Sequence, residues 1–278
     1  MGRAVHLNLD DAWRDIGLPR LDMLSWGPRL RFTSPAALIE KFNQEVAGGL
    51  ENFILFGSGD FHHLTALWLR RFHEPLTLIS FDNHPDWDRR PPRWSCGGWI
   101  NRAMELESVQ KAAVWGCGNF ELKWPNRIFG NAAALRSGRL EIFAWEERCG
   151  RAGRDDPWHP ITRTNWRERF DAFAGRLRGG NFYVTVDIDC LVTTEAATQW
   201  EQGLFVPEDV AWALKTLRSA GRVIGGDLCG AWSPPLYARW TQKFASDFDH
   251  PKLPIVVPST AQALNLKAFR TIWPALAG

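Results

Sequence analysis

Short apolar, β-branched or aromatic runs alternate with stretches of helical spacing along most of the chain, the pattern of an α/β fold with a largely parallel sheet. Pro35 to Ala47 carries helical spacing, with Ser34 placed as an N-cap and Gly48-Gly49 as a stop, and Asn52 to Phe56 then reads as a strand. A helix from His63 to Phe72 precedes a strand at Leu76 to Phe81. A loop from Asp82 to Cys96, a helix from Gly97 to Leu106 and a strand at Ala112 to Cys117 follow. Leu140 to Ala144 is the next strand, succeeded by a polar, proline-containing loop from Glu146 to Thr164 and a helix from Trp166 to Leu177. Asn181 to Asp187 has the β-branched and aromatic content of a buried central strand. Pro207 to Ala220 is a helix opened by proline, Arg222 to Gly226 a further strand, and the tail from Tyr237 a helix and a terminal segment. No repeat, low-complexity tract or linker divides the sequence, so one domain over residues 1–278 is expected.

Composition narrows the classes. With 278 residues, 45% of them hydrophobic, the chain can bury a substantial core. No segment approaches the roughly 20 apolar residues of a membrane span, and the start, Met1 to His6, soon meets Asp10 and Asp11 without the apolar stretch of a secretory signal. A soluble cytoplasmic protein is expected. The five cysteines are scattered and form no CxxC pair, so reduced thiols are expected rather than a disulfide framework or a thiolate zinc site. The net charge of +2 offers no field for nucleic acid, and the arginines between Arg163 and Arg178 are interspersed with Glu168 and Asp171, as on a solvated helix face. The sixteen tryptophans read as core.

The chemistry gathers at strand ends. Asp82-Asn83-His84-Pro85-Asp86 places acid or imidazole at every second position directly after a predicted strand; in extended chain, Asp82, His84 and Asp86 point the same way. Asn, Pro and Asp also form turns, so the run alone fits a polar turn equally well. Two further segments, Gly57 to His63 and Asp187-Ile188-Asp189, also lie at predicted carboxyl ends, and in a parallel sheet those ends share the edge where ligands bind. Asp187 and Asp189, two apart, are expected to face one side. Asp82, Asp86, Asp187 and Asp189 with neutral His62 and His84 would carry four negative charges, matched by two divalent cations bridged by carboxylates about 3.5 to 4 Å apart.

Over Asn52 to Pro234 the chain resembles the arginase, or ureohydrolase, superfamily, which also contains agmatinases, formiminoglutamases and, more distantly, histone deacetylases. The resemblance rests on Ser58-Gly59-Asp60-Phe61-His62, Asp82-Asn83-His84-Pro85-Asp86 and Asp187-Ile188-Asp189, occurring in that order. It implies a three-layer α/β/α architecture around a mostly parallel sheet of about eight strands. It also implies a dinuclear site, most often manganese, held by His62, Asp82, His84, Asp86, Asp187 and Asp189. Phe61 interrupts the first motif, so His63 is the fallback ligand. The implied reaction is hydrolysis of a C–N bond that is not a peptide bond, on a small-molecule substrate, and members of the superfamily are often homo-oligomers.

Substrate-handling positions depart from that pattern. Cys96 stands where arginases carry a proton-shuttling histidine, and reads as a proton-transfer group, a nucleophile or a packing residue. Gly230 stands where the guanidinium-binding glutamate belongs, and Asp227 replaces it only if the loop shifts by three residues. Asp88 stands where arginases use an asparagine near the substrate carboxylate; an acid there repels carboxylate and welcomes amine unless Arg89, Arg90 or Arg93 offsets it. These changes point away from arginase or agmatinase activity and toward a small amide, amidine or acylated amine, with Cys96 or Asp88 assisting proton transfer and Asp227 and Gly230 at the substrate. The alternative reading is a metal-binding scaffold or regulatory protein that keeps the cage without the catalysis.

Overall fold

The computed structural model describes residues 3–151, 153, 156, 158–253 and 256–278. Its centre is a nine-stranded sheet, counted among the described residues, with every pairing parallel. The strands are β1 (Ala4–Asn8), β2 (Arg20–Asp22), β3 (Phe53–Phe56), β4 (Leu76–Phe81), β5 (Val109–Cys117), β6 (Leu140–Trp145), β7 (His159–Ile161), β8 (Asn181–Asp187) and β9 (Arg222–Cys229), in the spatial order β2-β1-β3-β9-β8-β4-β5-β6-β7.

Both faces of the central strands are apolar, as burial beneath helices on each side requires. In β4, Ile79 and Phe81 join Val184, Val186 and Leu228 on one face, under helices Trp166–Arg176, Pro207–Ala220 and Pro258–Ala277. Leu76 and Leu78 join Ile54, Phe56 and Tyr183 on the other, under Ala36–Val46 and the helical turns Thr65–Trp68 and Trp99–Ala103. This is the three-layer α/β/α arrangement. No helix among the described residues is long and apolar enough to cross a membrane.

The structure adds to the predicted elements in identifiable ways. β1, β2 and β7 are short, and β7 carries Pro160, so none has the run of β-formers that marks a strand in sequence. β7 and the short helix Glu146–Cys149 lie within the stretch expected to be a loop; positions 152, 154, 155 and 157 of that loop, like 1 and 2 at the N-terminus, are outside the described residues. The helix expected from His63 to Phe72 is a 3-10 turn, Gly59–Leu64, one α-turn, Thr65–Trp68, and a second 3-10 turn, Leu69–Arg71. Strand β9 runs on to Cys229, which places Asp227 inside the sheet rather than in a loop.

Late strands β8 and β9 insert between early strands β3 and β4. The carboxyl ends of β3, β8 and β4 therefore lie at one edge, with only β9 between β3 and β8.

Candidate metal centre

Each strand end delivers its donors by a local device. The turn Gly59–Leu64 after β3 puts His62 against the sheet edge, where its Nδ1 lies 3.1 Å from Asp82 Oδ2, 3.3 Å from Asp86 Oδ2 and 3.6 Å from Asp187 Oδ2. His84 Nδ1 lies 2.7 Å from Asp189 Oδ2 and 3.5 Å from Asp82 Oδ1. Two donor groups result, His62–Asp82–Asp86 and Asp82–His84–Asp189, joined through Asp82, while Asp187 faces His62 with Cys229 behind it. All six expected ligand positions are buried.

The route to this convergence differs from simple extended alternation. Asp82 Oδ1 accepts the His84 backbone N–H at 2.7 Å, closing a turn, and Asp86 adopts a left-handed backbone at φ 46° that swings its carboxylate to His62. Likewise Ile188–Cys190 is a 3-10 turn in which Asp187 Oδ1 accepts the Asp189 N–H at 3.0 Å. Asn83 N–H donates to Asp189 Oδ1 at 3.0 Å, tying the two turns together. Two glycines clear room for Asp187: a Cβ on Gly59 would lie 2.8 Å from its Oδ2, and one on Gly230 would lie 2.1 Å from its Oδ1.

The imidazole of His62 has its tautomer set from below. Thr185 Oγ1 is 2.9 Å from His62 Nε2 and donates its proton to Asp227 Oδ1 at 2.5 Å, so the hydroxyl accepts from Nε2–H. His62 Nδ1 then faces three carboxylates, and Asp82 Oδ2, fully buried, has no hydrogen-bond partner. Three buried carboxylates around one ring nitrogen repel one another unless a cation or a proton stands among them, and imidazole plus carboxylate is a donor set suited to divalent metals. The pKa pattern agrees. Burial, then Asp82, pushes Asp86 up to about 7 and Asp187 up to about 6. Burial, then Asp187, raises Asp189. Burial opposes charge on His62 and His84, yet the surrounding carboxylates raise both well above the usual value. The residues fit a divalent-metal site.

His63 is not the ligand-facing histidine: both its ring nitrogens are buried without a partner, and burial lowers it to about 3. Asp60, next to it, is held elsewhere, by Arg31 at 3.0 Å and by His250 Nε2 at 2.8 Å.

Three of the expected substrate-side residues sit elsewhere. Asp227 is buried in β9, opposite Thr185, accepting from Thr185 and from Tyr183 at 2.7 Å; it braces His62 from beneath and does not reach the cleft. Gly230 is backbone packed against Asp187, with φ 103°, and admits no side chain. Asp88 lies in an outer cleft, its carboxylate accepting Arg90 N–H at 2.7 Å and Nε at 2.8 Å, so the offset expected from a neighbouring arginine is realised. Cys96 does line the inner pocket; burial, then Asp60 and Asp86, raises its thiol, which is therefore protonated.

Other residues at the site carry no motif. Trp99 donates Nε1–H to Asp86 Oδ2 at 2.5 Å, its ring 4.6 Å from that of His62. Trp200 packs edge-on to His84, and Glu201 Oε2 meets His84 Nε2 at 3.3 Å. Both tryptophans belong to the set that sequence assigned to plain core, and only contact geometry separates them from it.

No protein-family model matches the chain. An uncharacterised protein of Thermotoga maritima is 26% identical over 178 residues, spanning 64% of this chain but only 57% of that protein. Solved structures match over nearly the whole length. Proclavaminate amidino hydrolase from Streptomyces clavuligerus aligns at a TM-score of 0.55 and 13% identity, covering 100% of this chain and 93% of that one. Arginase from Medicago truncatula aligns at 0.56 and 12%, covering 99% and 87%. Arginase from Bacillus caldovelox aligns at 0.55 and 15%, covering 97% and 98%. At such identities the likeness is one of architecture, and together with the parallel sheet and its strand-end donors it identifies this chain as having the arginase, or ureohydrolase-superfamily, fold.

Proposed function

We propose that the protein is a dinuclear metal-dependent hydrolase of a non-peptide C–N bond in a small amide, amidine or acylated amine. The observation that carries the reading is the buried convergence of Asp82, Asp86 and Asp187 on His62 Nδ1, with a second imidazole against Asp189 and Asp82 between. His62, Asp82, Asp86 and Asp187 would hold one divalent cation and His84, Asp82 and Asp189 the other, with manganese the expected metal. Bound there, such cations acidify water and polarise an electrophilic carbon.

The chain's own residues supply orientation and proton handling. Thr185 and Asp227 fix the His62 ring, Trp99 holds Asp86, and Gly59 and Gly230 clear the space in which Asp187 stands. Cys96, a protonated thiol in the pocket wall, is available to donate to a departing nitrogen. Gly230 leaves no carboxylate at the position the resemblance gives to guanidinium binding, which favours substrates other than arginine and agmatine.

The test is reconstitution with manganese, elemental analysis, and a screen of guanidino, formimino and acyl-amine compounds, with Asp187→Ala as control. About two metals per chain and turnover abolished by the substitution are expected. Fewer than about one metal per chain, or turnover that survives Asp187→Ala, would overturn the reading.

A further inference from the structure

The inner pocket bounded by the donors has a volume of about 20 Å³, too small for the body of a substrate. An outer cleft of about 340 Å³ adjoins it, the two sharing Gly97, Glu121 and Asp249 in their walls. A substrate reacting at the donors must therefore carry its bulk in the outer cleft. We infer that this cleft selects a substrate with an apolar or aromatic body and an amino group but no carboxylate, with Glu121 and Asp249 as specificity-determining acids. The inference rests on the hydrolytic reading of the inner pocket.

Charge decides against a carboxylate. Among the described residues lining the outer cleft, Arg90 is the one cation, and it is already engaged: its N–H, Nε and Nη2 donate to Asp88 at 2.7, 2.8 and 2.5 Å. Its guanidinium also lies 4.1 Å from the Phe129 ring centre. Asp88 thus offsets the charge of Arg90, and among the described residues the lining carries no uncompensated cation for a carboxylate body. Glu121 and Asp249 stand at the junction of the two cavities with no direct ion-pair partner among the described residues; burial, with Asp86 and Asp249 adding to it, pushes Glu121 up to about 8. An ammonium group at that junction would pair with both carboxyl groups and favour their ionised forms.

The apolar part follows from the rim. Phe120, Phe244 and Phe248 line the cleft yet are 46, 68 and 89% exposed, so three aromatic rings stand in water beside the entrance. A ligand body lying across them covers that surface, and a large buried apolar group is worth about tenfold or more in affinity.

Binding of simple amines to the metal-loaded full-length protein, followed by calorimetry, tests the inference without any turnover. 4-Phenylbutylamine is expected to bind at least about tenfold more tightly than propylamine, which lacks the body, and than 4-phenylbutyrate, which carries the opposite charge. Glu121→Gln with Asp249→Asn should abolish the preference for amine over carboxylate, and Phe244→Ala with Phe248→Ala should abolish the preference for the phenyl body. Phe244, Phe248 and Asp249 are exposed and Glu121 is half-buried where the cavities meet, and none of the four is a donor, so circular dichroism and metal content should be unchanged in both double variants. Equal or tighter binding of the carboxylate, preferences that persist in the variants, or no binding of any probe would overturn the inference. Amine binding as expected, with no C–N substrate hydrolysed, would instead sink the hydrolytic function and leave the cleft's selectivity standing.

Discussion

Replacing Gly230 by alanine adds one carbon at the most crowded point behind the donors. The new Cβ would lie 2.1 Å from Asp187 Oδ1 and 2.8 Å from the Ile188 nitrogen, at a backbone φ of 103°. Two costs combine: a left-handed backbone for an L-residue, about 1–2 kcal/mol, and overpacking, about 1–3 kcal/mol. The sum, about 2–5 kcal/mol, corresponds to a fall in Tm of roughly 3–9 °C for a chain of this size. Relief requires Asp187 Oδ1 to move, which breaks its 3.0 Å bond from Asp189 N–H, so metal affinity should fall along with stability. Gly138→Ala is the control, because Gly138 shares a positive φ, 71°, and has nothing within 4 Å of its Cβ position. Thermal melts with chelator and with manganese, alongside metal titration, separate the terms. The control should lose only the backbone cost and keep its metal affinity. If Gly230→Ala melts like Gly138→Ala and binds metal like the parent, the close packing against Asp187 is not what positions that carboxylate.

Further outcomes follow from the same geometry. Thr185→Val removes the acceptor for His62 Nε2–H while keeping the volume, and metal affinity should drop about 10–100-fold in competition with a chelating dye; an unchanged affinity would mean Thr185 does not orient the ring. Without metal, Asp86 at about 7 and Asp187 at about 6 stand above their unfolded value of 3.8, so the native state binds more protons and its stability falls as pH rises through those values. His62 and His84, raised above 6.5, contribute stability that is full below that value and lost as pH climbs further, so the two effects share a sign. Melts in chelator from about pH 5 to 8 should therefore show a falling Tm that manganese abolishes, and a Tm rising with pH in chelator would contradict this. Asp88→Ala breaks only a partly exposed pair with Arg90, so metal content should be unaltered and stability should change by less than about 1 kcal/mol; metal loss would return Asp88 to the donor cluster.

The sheet's central strands and their donor-bearing ends were legible because buried parallel strands are continuous apolar runs, as in Leu76–Phe81 and Asn181–Asp187, and because polar residues just beyond them have one edge to occupy. What the sequence hid were features set by contacts distant along the chain. Extended alternation brought Asp82, His84 and Asp86 to the right place for partly the wrong reason, since the left-handed turn at Asp86 is a tertiary choice. The position of Asp227 depended on how far β9 continues, and its pairing with Thr185 makes it a brace rather than a substrate contact. Trp99, Trp200 and Glu201 carry no spacing relative to the motifs they support, and Glu121 and Asp249 meet at the cleft only after folding. The edge strands β2 and β7 are three residues each, too short for periodicity to register.

Because β8 and β9 lie between β3 and β4, the nascent chain exposes four of the six donors long before the other two exist. Asn83 and Asp189, hydrogen-bonded in the finished protein, are 106 residues apart. At roughly 5–20 residues per second of synthesis, His62, Asp82, His84 and Asp86 wait on the order of ten seconds for Asp187 and Asp189 to leave the ribosome. Until then the sheet has a gap between β3 and β4, and no complete cage is available to any passing cation. A cation held by all six donors could therefore be taken up only after the sheet has closed.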